Sequence, residues 1–269
     1  MSQDITSILA GWDFDPEGIT VRLVAGDDGN EKIQMRLELG VLQMELGGRP
    51  DGQEIEGCES WLEYYEQRQQ LHDRQHPDGP TLRLEPKDCE RLLREGIQYY
   101  HRYISLWHLR RYELCARDTR RNLRLFAFVR EHARRDRDKL QFDQWRPYVT
   151  MMHTRAVATP LVELNELDAA LGAINAGIEA IERFLRDYGQ EGRADDCQEL
   201  THLKRWKEEL SQGRPARSLP PGESRPALPA SPLERLRKQL GQAVSEERYE
   251  DAARLRDEIR QLGDEPEQQ

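Results

Sequence analysis

Between Gly213 and Ala230 the chain reads GRPARSLPPGESRPALPA, with five prolines in eighteen residues. Proline fixes its own φ and donates no backbone hydrogen bond, so neither a helix nor a central strand is expected to run through such a stretch. The composition predicts a solvated, semi-stiff, extended tether, which at ~3.1 Å per residue reaches roughly 55 Å. The folding problem therefore divides into a body of the first 212 residues and a short C-terminal segment.

The C-terminal segment, Ser231 to Leu262, reads as two short helices in a hairpin. Ser231 suits an N-cap, Pro232 the first helical position, and Glu234 completes a capping box. Leu233, Leu236, Leu240 and Val244 recur at spacings of three and four, one apolar stripe. Gly241 interrupts at a cost of roughly 1 kcal/mol relative to Ala. Ser245–Arg248 is a polar turn. Tyr249, Ala252, Ala253, Leu255, Ile259 and Leu262 mark the second helix, and Gly263 ends it. Thirty residues bury too little surface to be comfortable alone. Two arrangements satisfy the stripes: docking on the chain's own body, or pairing with a second hairpin in a four-helix arrangement. A long tether is unnecessary for the first and favours the second.

Ala243-Val244, Tyr249-Glu250, Ala252-Ala253, Leu255-Arg256-Asp257, Ile259 and Leu262 resemble the UVR motif, shared by the UvrB and UvrC subunits of bacterial nucleotide excision repair. The motif also occurs in Clp-family ATPases and in activators of stress-response kinases. The resemblance covers about thirty residues and implies a helical hairpin that pairs with another. It implies protein–protein contact and does not by itself imply DNA repair. Candidate partner-binding residues are Leu236, Leu240, Val244, Tyr249, Ala252, Ala253, Leu255, Arg256, Ile259 and Leu262. Of these Leu236, Leu240, Tyr249, Ala252, Leu255 and Ile259 form the expected outward stripe.

In the body, residues 12–46 are the convincing β region. Ile19, Val21, Leu23 and Ala25 alternate with Thr20, Arg22 and Val24. After Gly26–Asn30, Ile33, Met35, Leu37 and Leu39 alternate again, so a β-hairpin is expected. Gly40 shifts the phase, and a bulge or bend leading to a third strand through Leu42, Met44 and Leu46 is the natural reading, with a helix over 41–46 as the alternative. Gly47–Gly52 is a turn. It lacks the strand–loop–helix context and the G-K-[ST] of a phosphate loop.

Residues 58–79 read as helix and then loop. His72 and His76 have i,i+4 spacing without a third ligand in register, which predicts a solvated pair rather than a metal site. Residues 81–212 read as helical throughout. A long helix starts near Pro86, with Leu92, Leu93, Ile97, Tyr100, Ile104 and Trp107 on one face. Packed pairs are expected at 88–110 with 112–134 and at 146–163 with 167–187. A last helix over 194–212, carrying Leu200, Leu203, Trp206 and Leu210, caps the stack. The segments 108–123 and 165–181 resemble the middle of a tetratricopeptide repeat, but their spacing exceeds its 34-residue period. R-Y-E recurs at 111–113 and 248–250, each time opening a second helix.

The fold class expected is mainly α. A TPR-like body over 58–212 carries a small antiparallel β element over 1–57, the tether over 213–230, the hairpin over 231–263 and an acidic tail over 264–269. With 33% charged and 37% hydrophobic residues, thin helical layers are favoured over a thick α/β core. A formal net charge of −10 argues against general nucleic-acid binding. Residues 110–139 are the exception, with eleven Arg or Lys against five Asp or Glu. A solvated helix face with internal ion pairs explains them, and nucleic-acid contact is the alternative. Tyr99, Tyr100, Tyr103, Trp107 and Tyr112 read as core and groove lining rather than a stacking platform.

Four scattered cysteines without a C-x-x-C pair fit a reduced cytoplasm. No secretion signal and no apolar run long enough to span a membrane are read. No catalytic constellation, cofactor or metal set is read. The expectation is a non-catalytic, cytoplasmic adaptor of bacterial type, binding a UvrB/UvrC-type or Clp-type protein, or a second copy of itself, through the hairpin. The alternative is an enzyme with an unrecognised site in the body.

Overall fold

In the computed structural model, which describes residues 4–212 together with Leu240, Arg248, Asp251 and Arg254–Arg256, a mainly helical chain carries one small antiparallel sheet. The sheet orders β1 (Val21–Ala25), β2 (Glu31–Leu37) and β3 (Gly40–Glu45) side by side. Leu23 pairs with Ile33 and Ile33 with Met44, so these apolar residues share the face turned to the helices. The third strand is present and the helical alternative over 41–46 is not. Leu37 lies opposite Gly40, which leaves Glu38-Leu39 as a two-residue turn where a bulge or bend is expected. Leu39, expected to continue the alternation, sits at that turn and is 90% exposed.

The polar face of β2 is buried as well. Gln34 donates to Gln43 Oε1 at 2.9 Å and accepts from Arg22 Nε at 2.9 Å. The Arg22 guanidinium lies 3.9 Å from the Trp12 ring centre, and Arg36 Nε donates to the Trp12 carbonyl at 2.8 Å. The N-terminal segment, with its single short helix α1 (Thr6–Leu9), thus covers the side of the sheet that alternation assigns to solvent.

The helices follow as α2 (Trp61–Gln75), α3 (Pro86–His108), α4 (Tyr112–His132), α5 (Asp136–Asp143), α6 (Arg146–Glu163), α7 (Leu167–Asp187), a 3-10 turn (Glu191–Asp196) and α8 (Gln198–Ser211). α3 starts where Pro86 predicts, behind a reciprocal capping box between Glu85 and Asp88. The α3–α4 and α6–α7 turns are built alike. Arg110 and Asn165 adopt left-handed φ of 56° and 60°. Arg111 N–H then reaches back to Leu106 O, and Glu166 N–H to Leu161 O, at 2.8 Å each. This is the Schellman pattern, which satisfies the last helical carbonyls.

α4 packs between α3 and α6, α6 between α4 and α7, and α8 on α7. The two anticipated helix pairs and the capping helix are therefore present, with Leu200, Leu203, Trp206 and Leu210 buried. The pairs are longer than tetratricopeptide units, because the 23 and 21 residues of α3 and α4 already outrun a 34-residue period. Helix is not continuous over 81–212. Leu84 bridges Ala133 as a strand, which ends α4 at His132, and α5 follows unforeseen. The core has two parts. One lies between the sheet and α3, α6, α7 and α8, the other among α2, α3, α4 and α5, and Tyr148 touches both.

Candidate functional site

Of the ten candidate partner-binding residues, Leu240, Leu255 and Arg256 are described. Leu236, Val244, Tyr249, Ala252, Ala253, Ile259 and Leu262 lie outside the described residues, as do the tether 213–230 and the tail. Leu240 and Leu255 are helical and half-buried, and Arg256 is helical and exposed. Arg248 precedes the helix and Asp251 lies within it. Asp251 accepts from Arg248 at 2.8 Å and from Arg254 at 3.0 Å, one carboxylate tying the entrance of the second helix to its next turn. Of the R-Y-E echo, Tyr112 is the first residue of α4 and Arg111 stands just outside it, whereas Tyr249 and Glu250 lie outside the described residues.

A second site was not legible in the sequence. On α3, Glu95 and Arg102 are buried among Leu92, Tyr99 and Leu106. Arg102 makes a two-pronged pair with Asp118 of α4, at 2.6 and 3.0 Å, and donates to the carbonyls of Glu45, Gly47 and Gly48. Glu95 accepts from the backbone of Trp61 at 2.7 Å and of Leu62 at 3.1 Å, and from Arg121 of α4. Asn122 donates to the Gly96 carbonyl at 3.0 Å. The signal available was positional: 92, 95, 99, 102 and 106 share one helix face, so a charge at 95 or 102 falls within a buried stripe.

This network decides several readings of the body. Glu95 fills the N-terminus of α2, the helix end following the glycine-rich loop where a phosphate would otherwise sit. An open cleft of about 880 Å³ lies between the β1–β2 turn and that loop. Asp28, Glu31, Glu45, Glu54 and Glu59 line it against Lys32 and Arg49. Lys32 is held by Asp28 at 2.7 Å and Glu45 at 2.5 Å, and its ammonium brings the Asp28 carboxyl down to about 2. Its walls do not suit an anion.

The arginines of 110–139 form the solvated face expected, Arg121 excepted, but their ion pairs run mostly across elements rather than internally. Arg121 is nearly buried against Glu95, Arg124 meets Glu66 at 3.1 Å, Arg110 meets Glu163 at 2.9 Å and Arg134 meets Glu85 at 2.9 Å. The aromatic faces are occupied too: Arg121 and Arg102 lie over Tyr99 at 4.0 and 4.7 Å, and Arg155 over Trp107 at 4.4 Å.

Chemically, burial favours the neutral form of two of the body's thiols and three of its histidines. Burial pushes the Cys89 thiol up to about 12 and the Cys115 thiol higher, which disfavours the thiolate a nucleophile needs. Burial also lowers His101, His108 and His153. His72 and His76 stack at 4.8 Å, and among the described residues no group of three His, Cys, Asp or Glu is placed to hold a metal ion. Among the described residues no helix is long and apolar enough to cross a membrane.

Compared with known families, residues 230–265 match the model described as the UvrB/uvrC motif. That motif is a protein–protein interaction module. The match covers the C-terminal segment alone. No curated protein and no solved structure matches the chain.

Proposed function

We propose that this chain is a non-catalytic adaptor whose helical body carries a UVR hairpin on a tether, and that the hairpin binds a helical partner. The match of residues 230–265 to the motif carries this reading. The thirteen residues of α8 before Ser211 complete the body's apolar pattern, and the proline-rich stretch then separates body from hairpin. The partner is a UVR-bearing or helical protein, of the excision-repair or Clp and stress-regulation kind, or a second copy of the chain. The setting is a reducing cytoplasm, in keeping with four unpaired thiols.

The test uses the full chain and purified UVR segments of UvrB-, UvrC- and Clp-type proteins as probes. Removal of residues 231–262 abolishes binding. Ala252→Glu places an unpaired charge in a close helix contact, which costs several kcal/mol when buried. A loss of ~3 kcal/mol weakens binding by more than a hundredfold. If Ala252→Glu instead lowers the melting temperature of the whole chain and leaves binding intact, the hairpin is a structural part of the body and the adaptor reading fails.

A further inference from the structure

The chain leaves β3 through Leu46–Arg49, and every carbonyl from Glu45 to Gly48 is taken by the helices behind it. Arg102 donates to those of Glu45, Gly47 and Gly48 at 3.1, 3.3 and 2.8 Å, and Arg117 to that of Leu46 at 2.8 Å. Tyr99 adds its hydroxyl to the Gly48 carbonyl at 3.3 Å. In a trans peptide the N–H points opposite to the carbonyl before it. The N–H groups of Leu46, Gly47, Gly48 and Arg49 therefore turn away from α3 and α4, and none of them makes a hydrogen bond among the described residues. The same four residues line the open cleft of about 880 Å³ beside the β1–β2 turn.

The Arg49 side chain is nine-tenths buried. Its Nη2 lies 3.0 Å from Asp51 and its Nε 3.6 Å from Glu95, and neither Nε nor Nη1 makes a hydrogen bond. One wall of the cleft thus holds donors that the chain leaves unused. The rest of the lining is acidic. Lys32 is held by Asp28 and Glu45, and Glu31 stands 3.7 Å from Arg111. Glu54 and Glu59 are exposed and pair with no cation among the described residues.

Unused donors and unpaired carboxylates in one cleft select a ligand that brings acceptors and positive charge together. A phosphate brings acceptors but is repelled by the carboxylates, and a polyamine brings charge but no acceptor. A basic peptide brings both, since its main-chain carbonyls are neutral acceptors and its lysines or arginines are cations. We propose that this cleft binds an extended, lysine- or arginine-bearing segment of a partner protein, with its carbonyls on the 46–49 amides and Arg49 and its cations on Glu54 and Glu59. The volume falls within the ~300–1,000 Å³ of ligand-binding clefts. The site belongs to the body and does not depend on the hairpin, so it gives the chain a second docking surface.

Titration calorimetry of the full chain tests this with a short capped peptide of alternating arginine and glycine, and with spermine as a cation of equal charge that lacks carbonyls. The peptide binds, and spermine binds about tenfold more weakly. Glu54→Gln with Glu59→Gln removes two exposed carboxylates, leaves the melting temperature unchanged and weakens the peptide by about tenfold. Asp13→Asn with Glu38→Gln removes the same charge from exposed positions outside the cleft and leaves binding unchanged. Equal weakening by the two pairs of changes shows attraction to net charge alone and overturns the site. Spermine as tight as the peptide overturns the recognition of carbonyls, and a peptide that does not bind overturns the proposal outright. None of these outcomes bears on the hairpin's binding of UVR segments, which is measured separately.

Discussion

Thr119 decides which ring nitrogen of a half-buried histidine carries the proton. Its hydroxyl donates to the Cys115 carbonyl at 2.8 Å, which leaves its oxygen to accept from His153 Nδ1–H. This places a proton on Nδ1, and burial, then Arg120, lowers the His153 pKa. Burial likewise lowers His101 and His108. A histidine whose folded pKa lies below its unfolded value near 6.5 takes up its proton first in the unfolded chain. Its contribution is therefore intact above that value and is lost as pH falls through 6.5 toward the depressed folded value. Glu66, raised by burial, works in the opposite sense but nearer its own value of 4.5. Melting temperature is expected to drop between pH 7.5 and pH 5.5, and His153→Gln to shrink that drop. A melting temperature flat across this range would remove the histidines as the cause. None of this was legible in the sequence, because a histidine's burial depends on which helix crosses it. Nor were Glu95 and Arg102, whose charge masked their place in an apolar series.

Elements were far more legible than their contacts. Period-two alternation located β1 and β2, and caps and three-to-four spacing placed α3, α4, α6 and α7 within a few residues of their observed ends. What escaped was set by tertiary pairing. Leu84 and His132 meet across the chain and stop α4, and the Leu37–Gly40 pair turns Leu39 outward. The α6–α7 contact is another such case, since Gly177 looks like a weak point inside a helix. A Cβ built there would lie 2.1 Å from Thr154 Oγ1, so the two helices touch at backbone distance. Thr154 also bonds back to the Thr150 carbonyl at 2.9 Å, which fixes its rotamer. Gly177→Ala is therefore expected to destabilise by about 1–3 kcal/mol through overpacking, against the helix propensity that favours alanine. Thr154→Ala in the same chain removes the opposing atoms and recovers most of the loss. Urea unfolding of the two singles and the double measures the coupling. Additive losses would mean that the contact is not the cause.

At the scale of the molecule, the sheet, α3, α6, α7 and α8 share one cluster of buried side chains that runs from Ile33 to Leu210. The last of its helices closes at Ser211, before the first proline of the segment that follows. A chain ending at Gln212 therefore keeps every buried residue of both cores. It is expected to unfold in one cooperative transition, at nearly the temperature of the body in the full chain, since two-state behaviour follows a shared core rather than chain length. In the full chain, trypsin is expected to cut first after Arg217, the one arginine of the proline-rich stretch that is not followed by proline. The two measurements answer separate halves of one claim. A 212-residue chain that melts broadly, or is digested throughout, would show that the body needs its C-terminal segment to fold. An Arg217–Ser218 bond as resistant as those of α4 would show that the hairpin is held against the body, and the reach of roughly 55 Å that the composition permits would then go unused.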